Sequence, residues 1–350
     1  MAAPLALELA KPDDFHVHLR DGEEVLGCMV PAVARQFRRV ICMPNLKPPV
    51  TTTAQALAYR DRILAALPPD QRASFEPMMT LYLTEQTSAE EIVEAASKGI
   101  RAVKLYPAGA TTNSSAGVRD VEHVLPALRA MAKHGLPLLI HGEIPDADVD
   151  VFDREREFLG RVMPKLVAAV PDLKIVLEHI TTQEAVAFVM AAPPNVAATV
   201  TAHHLLINRN ALLAGGLNPH HYCMPIVKRE SHRQALLQAV TSGSPRFFAG
   251  TDSAPHPKHA KLSACGCAGV YTAHAAIELY AEAFEQANAL HHLEAFLSKN
   301  GAAFYGLAPN TERVTIVRTE WKVPEELPFG DTVVVPFRAG GTIRWQLQAS

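Results

Sequence analysis

The segment Leu136-Pro137-Leu138-Leu139-Ile140-His141 is the clearest guide to the fold of this chain. It is apolar almost throughout, as expected for a strand that is buried on both faces of a sheet, and it ends on a histidine. A second segment of the same kind, Lys174-Ile175-Val176-Leu177-Glu178-His179, also ends on a histidine. In a barrel of parallel strands, reactive groups lie at the C-terminal strand ends. The two segments therefore predict neighbouring strands of a catalytic barrel.

Six more short runs have a similar apolar character, which gives eight predicted strands: Phe15–Leu19, Arg39–Met43, Glu76–Leu83, Ala102–Tyr106, Leu136–His141, Lys174–His179, Val196–Thr201 and Phe247–Thr251. Segments with helical spacing lie between them, at Thr53–Ala66, Ala89–Lys98, Val121–His134, Thr182–Ala191 and Glu230–Ala239. Eight alternations of strand and helix predict an α/β fold of the (β/α)8 TIM barrel type. A doubly wound open sheet is the alternative, but it usually has fewer strands.

The length of 350 residues is within the range of a single barrel, and no sharp linker divides the chain. We therefore expect one domain over residues 1–350. Beyond Ala308, strand-like pieces (Val314–Val317, Thr332–Val335 and Thr342–Gln346) alternate with Pro and Gly, and we expect this tail, residues 309–350, to pack on the barrel. Two segments rich in small and polar residues, Ala108–Gly117 and Gly215–Tyr222, are predicted to be long loops after strands.

Composition excludes several classes of partner and location. The formal charge of −3 argues against a nucleic-acid or membrane-surface partner, since such proteins need a basic face. Five cysteines, an odd and low number for this length, fit reduced thiols in a cytoplasmic protein. The apolar stretch Met1–Ala10 has no basic region before it and is too short to span a membrane, so we expect neither a signal peptide nor an anchor.

Potential metal ligands recur at the predicted strand ends: His16 and His18 in the first strand, Lys104, His141, His179 and Asp252. Residues i and i+2 of a strand lie on the same side, about 7 Å apart along the chain. The imidazoles of His16 and His18 can therefore converge on one cation. Imidazole and carboxylate groups are common zinc ligands, so the strand ends predict a metal site.

Lys104 is unusual because it lies within the apolar run Val103-Lys104-Leu105. A buried lysine is costly, and its stem could extend to solvent or its charge could meet a carboxylate. Alternatively, burial lowers the pKa of the amine, and the neutral amine can react with CO2 to form an anionic carbamate that bridges two metal ions. The residues alone leave both interpretations open.

Five motifs, in this order along the chain, resemble the amidohydrolase superfamily and within it the shorter, bacterial-type dihydroorotases. They are Asp14-Phe15-His16-Val17-His18-Leu19-Arg20, Cys42-Met43-Pro44-Asn45-Leu46, Val103-Lys104-Leu105-Tyr106-Pro107, Glu178-His179 and Gly250-Thr251-Asp252-Ser253-Ala254-Pro255-His256. The resemblance runs from about Lys11 to the tail. The His-x-His and Gly-Thr-Asp motifs alone are shared by relatives that act on other rings.

The resemblance implies a centre of two zinc ions. His16, His18 and Asp252 would hold one ion, His141 and His179 the other, and carboxylated Lys104 would bridge them. It also implies a zinc-bridging hydroxide as nucleophile, with Asp252 as the general acid and base. The expected reaction is the reversible hydrolysis of (S)-dihydroorotate to N-carbamoyl-L-aspartate in the synthesis of UMP, by a homodimer.

Several residues are expected to contact this small-molecule substrate. Arg20 lies on the same side of its strand as His18 and can bind a carboxylate through two parallel hydrogen bonds. The resemblance adds His18, Asn45, Thr111, Thr112, His141, Met224, His256 and Ala268, with Met224 and Ala268 acting through the backbone and the two threonines in a mobile loop. Taken alone, Arg20 could form a salt bridge at the rim, Asn45 could form a turn, and His256 could be a solvated loop residue.

Other cysteines and histidines receive no functional assignment. Cys265-Gly266-Cys267 is interpreted as two loop thiols, because no second cysteine pair lies near it. The pairs His203-His204, His220-His221 and His291-His292 are expected to be solvated or to cap helices.

Two other functions remain alternatives. One is a cyclic amidase of the dihydropyrimidinase or hydantoinase type, although those proteins are usually longer and build a β-sandwich from both chain ends. The first strand here starts by Phe15, which leaves little room for that sandwich. The other is a metal-free barrel that serves as a scaffold for partner enzymes.

Overall fold

The computed structural model describes residues 5–348. After a short strand, β1 (Ala6–Ala10), eight parallel strands follow one another in space in the order in which they occur along the chain. They are β2 (Asp13–Val17), β3 (Arg39–Cys42), β4 (Glu76–Tyr82), β5 (Ala102–Leu105), β6 (Leu138–Ile140), β7 (Ile175–Leu177), β8 (Val196–Val200) and β9 (Phe247–Ala249).

The sheet closes on itself between its first and last strands. The backbone N–H of Asp252 donates to His16 O at 2.9 Å, and the N–H of His18 donates to Ser253 O at 3.1 Å. These bonds join the C-terminal end of β2 to the residues that follow β9, at the C-terminal rim. The predicted barrel is confirmed, and each predicted strand differs from the observed one by at most two residues at either end.

Helices surround the barrel: α1 (Glu23–Gln36), α2 (Thr53–Ala65), α3 (Pro69–Arg72), α4 (Ala89–Ser97), α5 (Leu125–His134), α6 (Arg154–Arg161), α7 (Met163–Ala169), α8 (Gln183–Ala191), α9 (Ala202–Leu206), α10 (Asn210–Leu213), α11 (Glu230–Thr241), α12 (Lys258–Lys261), α13 (Ala276–Gln286) and α14 (Asn300–Phe304). Short 3-10 turns at Val121–Val124, Pro219–His221 and Leu290–His292 and a π-helical segment at Ala295–Lys299 complete the layer. All five helical predictions correspond to observed helices.

Side-chain caps explain where several of these helices begin. Thr52 accepts a hydrogen bond from the backbone N–H of Gln55, whose side chain bonds back to the cap, so α2 begins with a complete capping box. The hydroxyl groups of Ser88 and Thr182 accept the corresponding bonds at the start of α4 and α8.

Both chain ends contribute to a small sheet beside the barrel. Strand β1 pairs antiparallel with β10 (Arg313–Val317), which also pairs with β15 (Gln346–Leu347). The remaining tail strands form two antiparallel pairs: β11 (Trp321–Lys322) with β14 (Thr342–Ile343), and β12 (Leu327–Phe329) with β13 (Thr332–Val334). Strand β1 was not predicted from the sequence. The segment before Phe15 was expected to leave little room for a β-sandwich built from both chain ends, and here it adds one strand to a three-stranded sheet.

The tail packs on helix α13 of the barrel. The Arg338 guanidinium lies 2.7 Å from the buried Glu282 carboxylate, and the Leu347 N–H donates to Glu278 at 3.1 Å. Trp345 is fully buried. These contacts join the segment from Arg338 to Leu347 to the barrel.

The barrel interior is filled by side chains and is not an open channel. The cluster consists of Phe15, Ile41, Met43, Met78, Ala102, Leu139, Val176, Ala197 and Phe248. A much larger apolar cluster lies between the strands and the helices. Within residues 5–348, no helix has the length and apolar character required to cross a membrane.

Candidate metal centre

A small cavity opens at the C-terminal rim of the barrel. Most of the residues predicted for the site line it: His16, His18, Arg20, Asn45, Thr111, Thr112, His141, His179, Met224, Asp252 and Ala268. Tyr106, Ala254 and Gly269 complete the lining and were not predicted. Of the predicted residues, Lys104 is fully buried below the cavity, and His256 lies behind Arg20.

The first predicted ligand group is tightly assembled. The Nε2 atoms of His16 and His18 lie 3.3 Å apart, and both lie close to Asp252 Oδ1, at 3.3 Å and 3.1 Å. The ligand atoms of these three residues fall within 4.8 Å of one another. The His-x-His spacing therefore brings the two imidazoles together, as expected from strand geometry.

The second predicted group lies beside the first. The His141 and His179 rings are 4.9 Å apart, and the His16 and His179 rings are also 4.9 Å apart, measured between centroids. Lys104 lies beneath them with its ammonium group in contact with the Glu178 carboxylate. Its nitrogen is also 4.9 Å from the centroid of the Tyr106 ring.

Glu178 is a site residue to which the sequence argument gave no role of its own. Its carboxylate is fully buried, contacts Lys104 and lies 3.0 Å from His16 Nδ1. It forms a second possible ligand group with His16 and His179. The signal in the sequence was a glutamate next to a strand-end histidine in an otherwise apolar strand.

Glu143 was also missed. Its buried carboxylate lies 2.6 Å from His141 Nε2. A carboxylate on one ring nitrogen fixes the tautomer and leaves the other nitrogen, Nδ1, to bind a cation. The His141-Gly142-Glu143 spacing was the available signal, but two residues beyond a strand end the direction of a side chain depends on the loop.

The backbone around the site is held in place by a buried carboxylate. Asp14 accepts hydrogen bonds from the N–H of His16 at 3.1 Å, the N–H of Thr251 at 2.8 Å and the Thr251 hydroxyl at 2.6 Å. It thereby joins the first and last barrel strands. His179 and Asp252 adopt left-handed backbone conformations, with φ of 44° and 43°. Such conformations are costly for these residues and concentrate at functional sites.

Burial and neighbouring charges give the histidines of the site different pKa values. Burial lowers the pKa of His18 to about 4 and that of His179 well below its ordinary value. Burial acts in the same direction on His16, but the Glu178 and Asp252 carboxylates outweigh it and raise the pKa of His16 to about 9. His18 and His179 are therefore neutral at pH 7, the form in which imidazole binds metals.

The residues present fit a metal centre. The His179 Nδ1 and Glu178 Oε1 atoms are buried, and neither has a hydrogen-bond partner within the described part of the chain. Buried polar atoms normally have partners, so their lack of one points to a missing group. Imidazole nitrogens and carboxylate oxygens are the donor types that zinc prefers in catalytic sites.

Arg20 lies on the rim with its side chain fixed. Its Nε donates to Pro255 O at 2.9 Å, and Nη2 lies 2.9 Å from His256 Nε2. The Tyr59 hydroxyl donates to the backbone oxygen of Arg20, whose φ of 64° is again left-handed. His256 Nε2 is also 3.0 Å from Ala268 O, so this ring nitrogen lies between the Arg20 guanidinium and that carbonyl oxygen.

Asn45 contacts the loop that contains Thr111 and Thr112. Its Nδ2 donates to Thr112 O at 3.0 Å, and Asn113 Nδ2 donates back to Asn45 O at 3.0 Å. The loop thus borders the cavity and is held to Asn45, three residues beyond the end of β3.

One histidine pair differs from expectation. His203 and His204 are buried and not solvated, and with Cys223 they form a third compact group. His204 is hydrogen-bonded through both ring nitrogens, to Thr201 Oγ1 at 2.8 Å and to Pro225 O at 3.0 Å. Cys265 and Cys267 are free thiols, as expected.

Comparison with known proteins gives a consistent result. The amidohydrolase family model matches residues 14–316. A dihydroorotase of Nitrosococcus oceani is 60% identical over 342 residues, which cover 97% of this chain and 98% of the relative. The crystal structure of a dihydroorotase from Campylobacter jejuni has a TM-score of 0.90 at 37% identity and covers 100% of this chain and 99% of that one.

A more distant structural neighbour shows the fold alone. L-hydantoinase (dihydropyrimidinase) from Arthrobacter aurescens has a TM-score of 0.78 at 15% identity, over 97% of this chain and 82% of its own. The barrel fold is thus shared with this L-hydantoinase.

Proposed function

Because this chain belongs to the amidohydrolase family and, within it, to the dihydroorotases, we propose that its rim site converts (S)-dihydroorotate reversibly to N-carbamoyl-L-aspartate in pyrimidine biosynthesis. The observation that carries the proposal is the meeting of His16, His18 and Asp252 in one cavity with Arg20. The first three supply a hydrolytic centre, and Arg20 supplies a clamp for a carboxylate.

Membership of the family implies a metal cofactor. We propose two zinc ions, one held by His16, His18 and Asp252 and the other by His141 and His179. Zinc supplies a Lewis acid that activates water near neutral pH and polarises a carbonyl oxygen.

Lys104 is proposed to link the two ligand groups as a carbamate. Burial lowers the pKa of its amine, although the Glu178 carboxylate opposes that shift. The neutral amine can attack CO2, form a carbon–nitrogen bond and lose one proton. The carbamate anion would then lie close to the Glu178 carboxylate, which now contacts the Lys104 ammonium. Because two anions repel each other, the Glu178 side chain would have to move away or accept a proton.

Asp252 is proposed to transfer the proton. Its left-handed backbone turns the carboxylate toward the cavity, next to both histidines of the first group. Burial alone would raise the pKa of Asp252, but His16 and hydrogen bonds from His16 and His18 hold it well below its ordinary value. Asp252 is therefore ionised at pH 7, able to accept a proton from water and return it to the leaving ring nitrogen.

Arg20 is proposed to select the substrate. Pro255 O and His256 orient its guanidinium group, so a planar donor face is prepared before a ligand arrives. A carboxylate on the ring matches that face through two parallel hydrogen bonds. Asn45, Thr111 and Thr112 would cover the bound acid, and His18, His141, Met224, His256 and Ala268 would contact the rest of it.

The direct test is an assay of dihydroorotate, dihydrouracil and hydantoin on one purified sample whose metal content is measured. Strong preference for dihydroorotate supports the proposal. Preference for dihydrouracil or hydantoin would instead indicate a cyclic amidase of the dihydropyrimidinase or hydantoinase type. No activity with any of the three rings would favour a metal-free barrel that serves as a scaffold for partner enzymes.

Three further expectations from the sequence stay predictions: a homodimer, a cytoplasmic location and a single folding domain. Light scattering on the purified protein measures the first. A single cooperative unfolding transition is expected for the last.

A further inference from the structure

Lys261 is a buried cation that the proposed chemistry leaves without a role. It is the last residue of α12, and only 4% of it is exposed. Its ammonium donates to three backbone oxygens: Tyr222 O at 2.8 Å, Cys267 O at 2.8 Å and Gly269 O at 2.7 Å. An ammonium has three protons, so its whole donor capacity is used on main-chain carbonyls.

These carbonyls belong to the two loops that form one wall of the cavity. Tyr222 precedes Met224 by two residues, and Cys267 and Gly269 flank Ala268 on both sides. Met224, Ala268 and Gly269 all line the cavity. The two loops are also joined directly, because the Gly269 N–H donates to Tyr222 O at 2.9 Å.

The contact with Cys267 fixes the direction of the next amide. Only two peptide bonds of the described chain are cis, Lys47–Pro48 and Met224–Pro225, so the bond between Cys267 and Ala268 is trans. In a planar trans peptide the C=O and N–H groups point in opposite directions. Since Cys267 O faces Lys261, the Ala268 N–H faces away from Lys261.

The electrostatics favour a ligand at that amide. Within residues 5–348, the Ala268 N–H has no backbone acceptor. A cation on the carbonyl oxygen polarises the peptide group and strengthens the opposite N–H as a donor. The next carbonyl, Ala268 O, is 3.0 Å from His256 Nε2, within the group that orients Arg20.

We infer that Lys261 is a positioning residue for the substrate: it holds the backbone on both sides of Ala268 so that this residue presents its amide to the polar edge of the bound ring. The inference rests on the proposed function, since the ring is the one proposed above. Lys261 does not contact the ligand groups, so its effect should fall on substrate binding and not on metal content.

The test compares Lys261→Met with Lys258→Met. Lys258 is on the same short helix, but its side chain is 43% exposed and pairs with Glu326. Loss of charge-assisted hydrogen bonds should raise the KM of Lys261→Met for dihydroorotate at least about tenfold, with a much smaller change in kcat. Lys258→Met should keep the parent KM, and both variants should keep the parent zinc content and circular dichroism spectrum. Lys261→Arg, which retains the charge and several donors, should recover part of the loss.

A parent protein without dihydroorotase activity refutes the proposed function and is recognised before any variant is measured. An active parent with an unchanged KM in Lys261→Met overturns the role of Lys261 alone. If Lys261→Met does not fold, Lys261→Gln takes its place in the same comparison. Failure of both to fold, or loss of zinc from either, would make Lys261 a structural residue and overturn the inference.

Discussion

Replacing Arg20 by methionine tests how the site distinguishes its substrate from related rings. Methionine keeps most of the apolar stem but removes every donor. Loss of one partner of a buried, hydrogen-bonded charge pair costs about 2–5 kcal/mol. Arg20 is half-buried and contacts Pro255 and His256, so we take about 3 kcal/mol, in the lower half of that range. At about 1.4 kcal/mol for each factor of ten, kcat/KM for dihydroorotate should fall at least about a hundredfold.

The assay measures kcat/KM for dihydroorotate and for dihydrouracil, which lacks the carboxylate, together with zinc content. Zinc should stay at the parent level, and any activity on dihydrouracil should change little. Arg62→Met is the matched control, because Arg62 is an exposed arginine that pairs with Asp21, the residue after Arg20. Equal losses on both rings with zinc retained would show that Arg20 does not clamp the carboxylate.

Three further changes test other parts of the structure. Lys104→Ala should be inactive with less zinc, and added short carboxylic acids should restore some activity. An unmodified Lys104 ammonium with no metal contact, in a crystal structure of the active enzyme, would contradict the proposed carbamate. Glu143→Gln should weaken zinc binding by about 10–100-fold, as measured in competition with a chelator, because His141 loses the carboxylate that orients its ring. Unchanged zinc affinity would show that Glu143 does not orient His141 for metal binding. Gly301→Ala should lower the free energy of unfolding by about 1–3 kcal/mol, because a Cβ there would lie 2.2 Å from the Phe15 ring. The control is Gly160→Ala, where a Cβ meets no atom within 4 Å and stability should not fall. Similar melting temperatures for the two variants would show that Gly301 is not needed for packing against Phe15.

Much of the fold and site followed from the sequence because the strands are short, apolar and end on ligand-type residues. His141 and His179 stood out as polar residues that close apolar runs. Once eight strands are placed in a parallel barrel, all their C-terminal ends meet at one rim. The sequence therefore predicted which residues come together without any knowledge of distances.

The residues that support the ligands were harder to find. Glu143 and Glu178 act through contacts with side chains whose directions the chain pattern does not define. Lys261 reads as an ordinary lysine of a polar helix, and its burial depends on two loops folding over it. Strand β1 was missed because its partner, β10, lies about 300 residues away.

The central claim is that a metal centre at the barrel rim carries out hydrolysis of dihydroorotate. The most direct measurement is the rate of that reaction in one sample as purified, after removal of metal by a chelator and after return of zinc, with zinc per chain determined at each stage. Activity should disappear with the metal and return as zinc approaches two ions per chain, and His179→Ala should show no such recovery. Full activity in a preparation shown to contain no metal would contradict a role of the metal in the reaction.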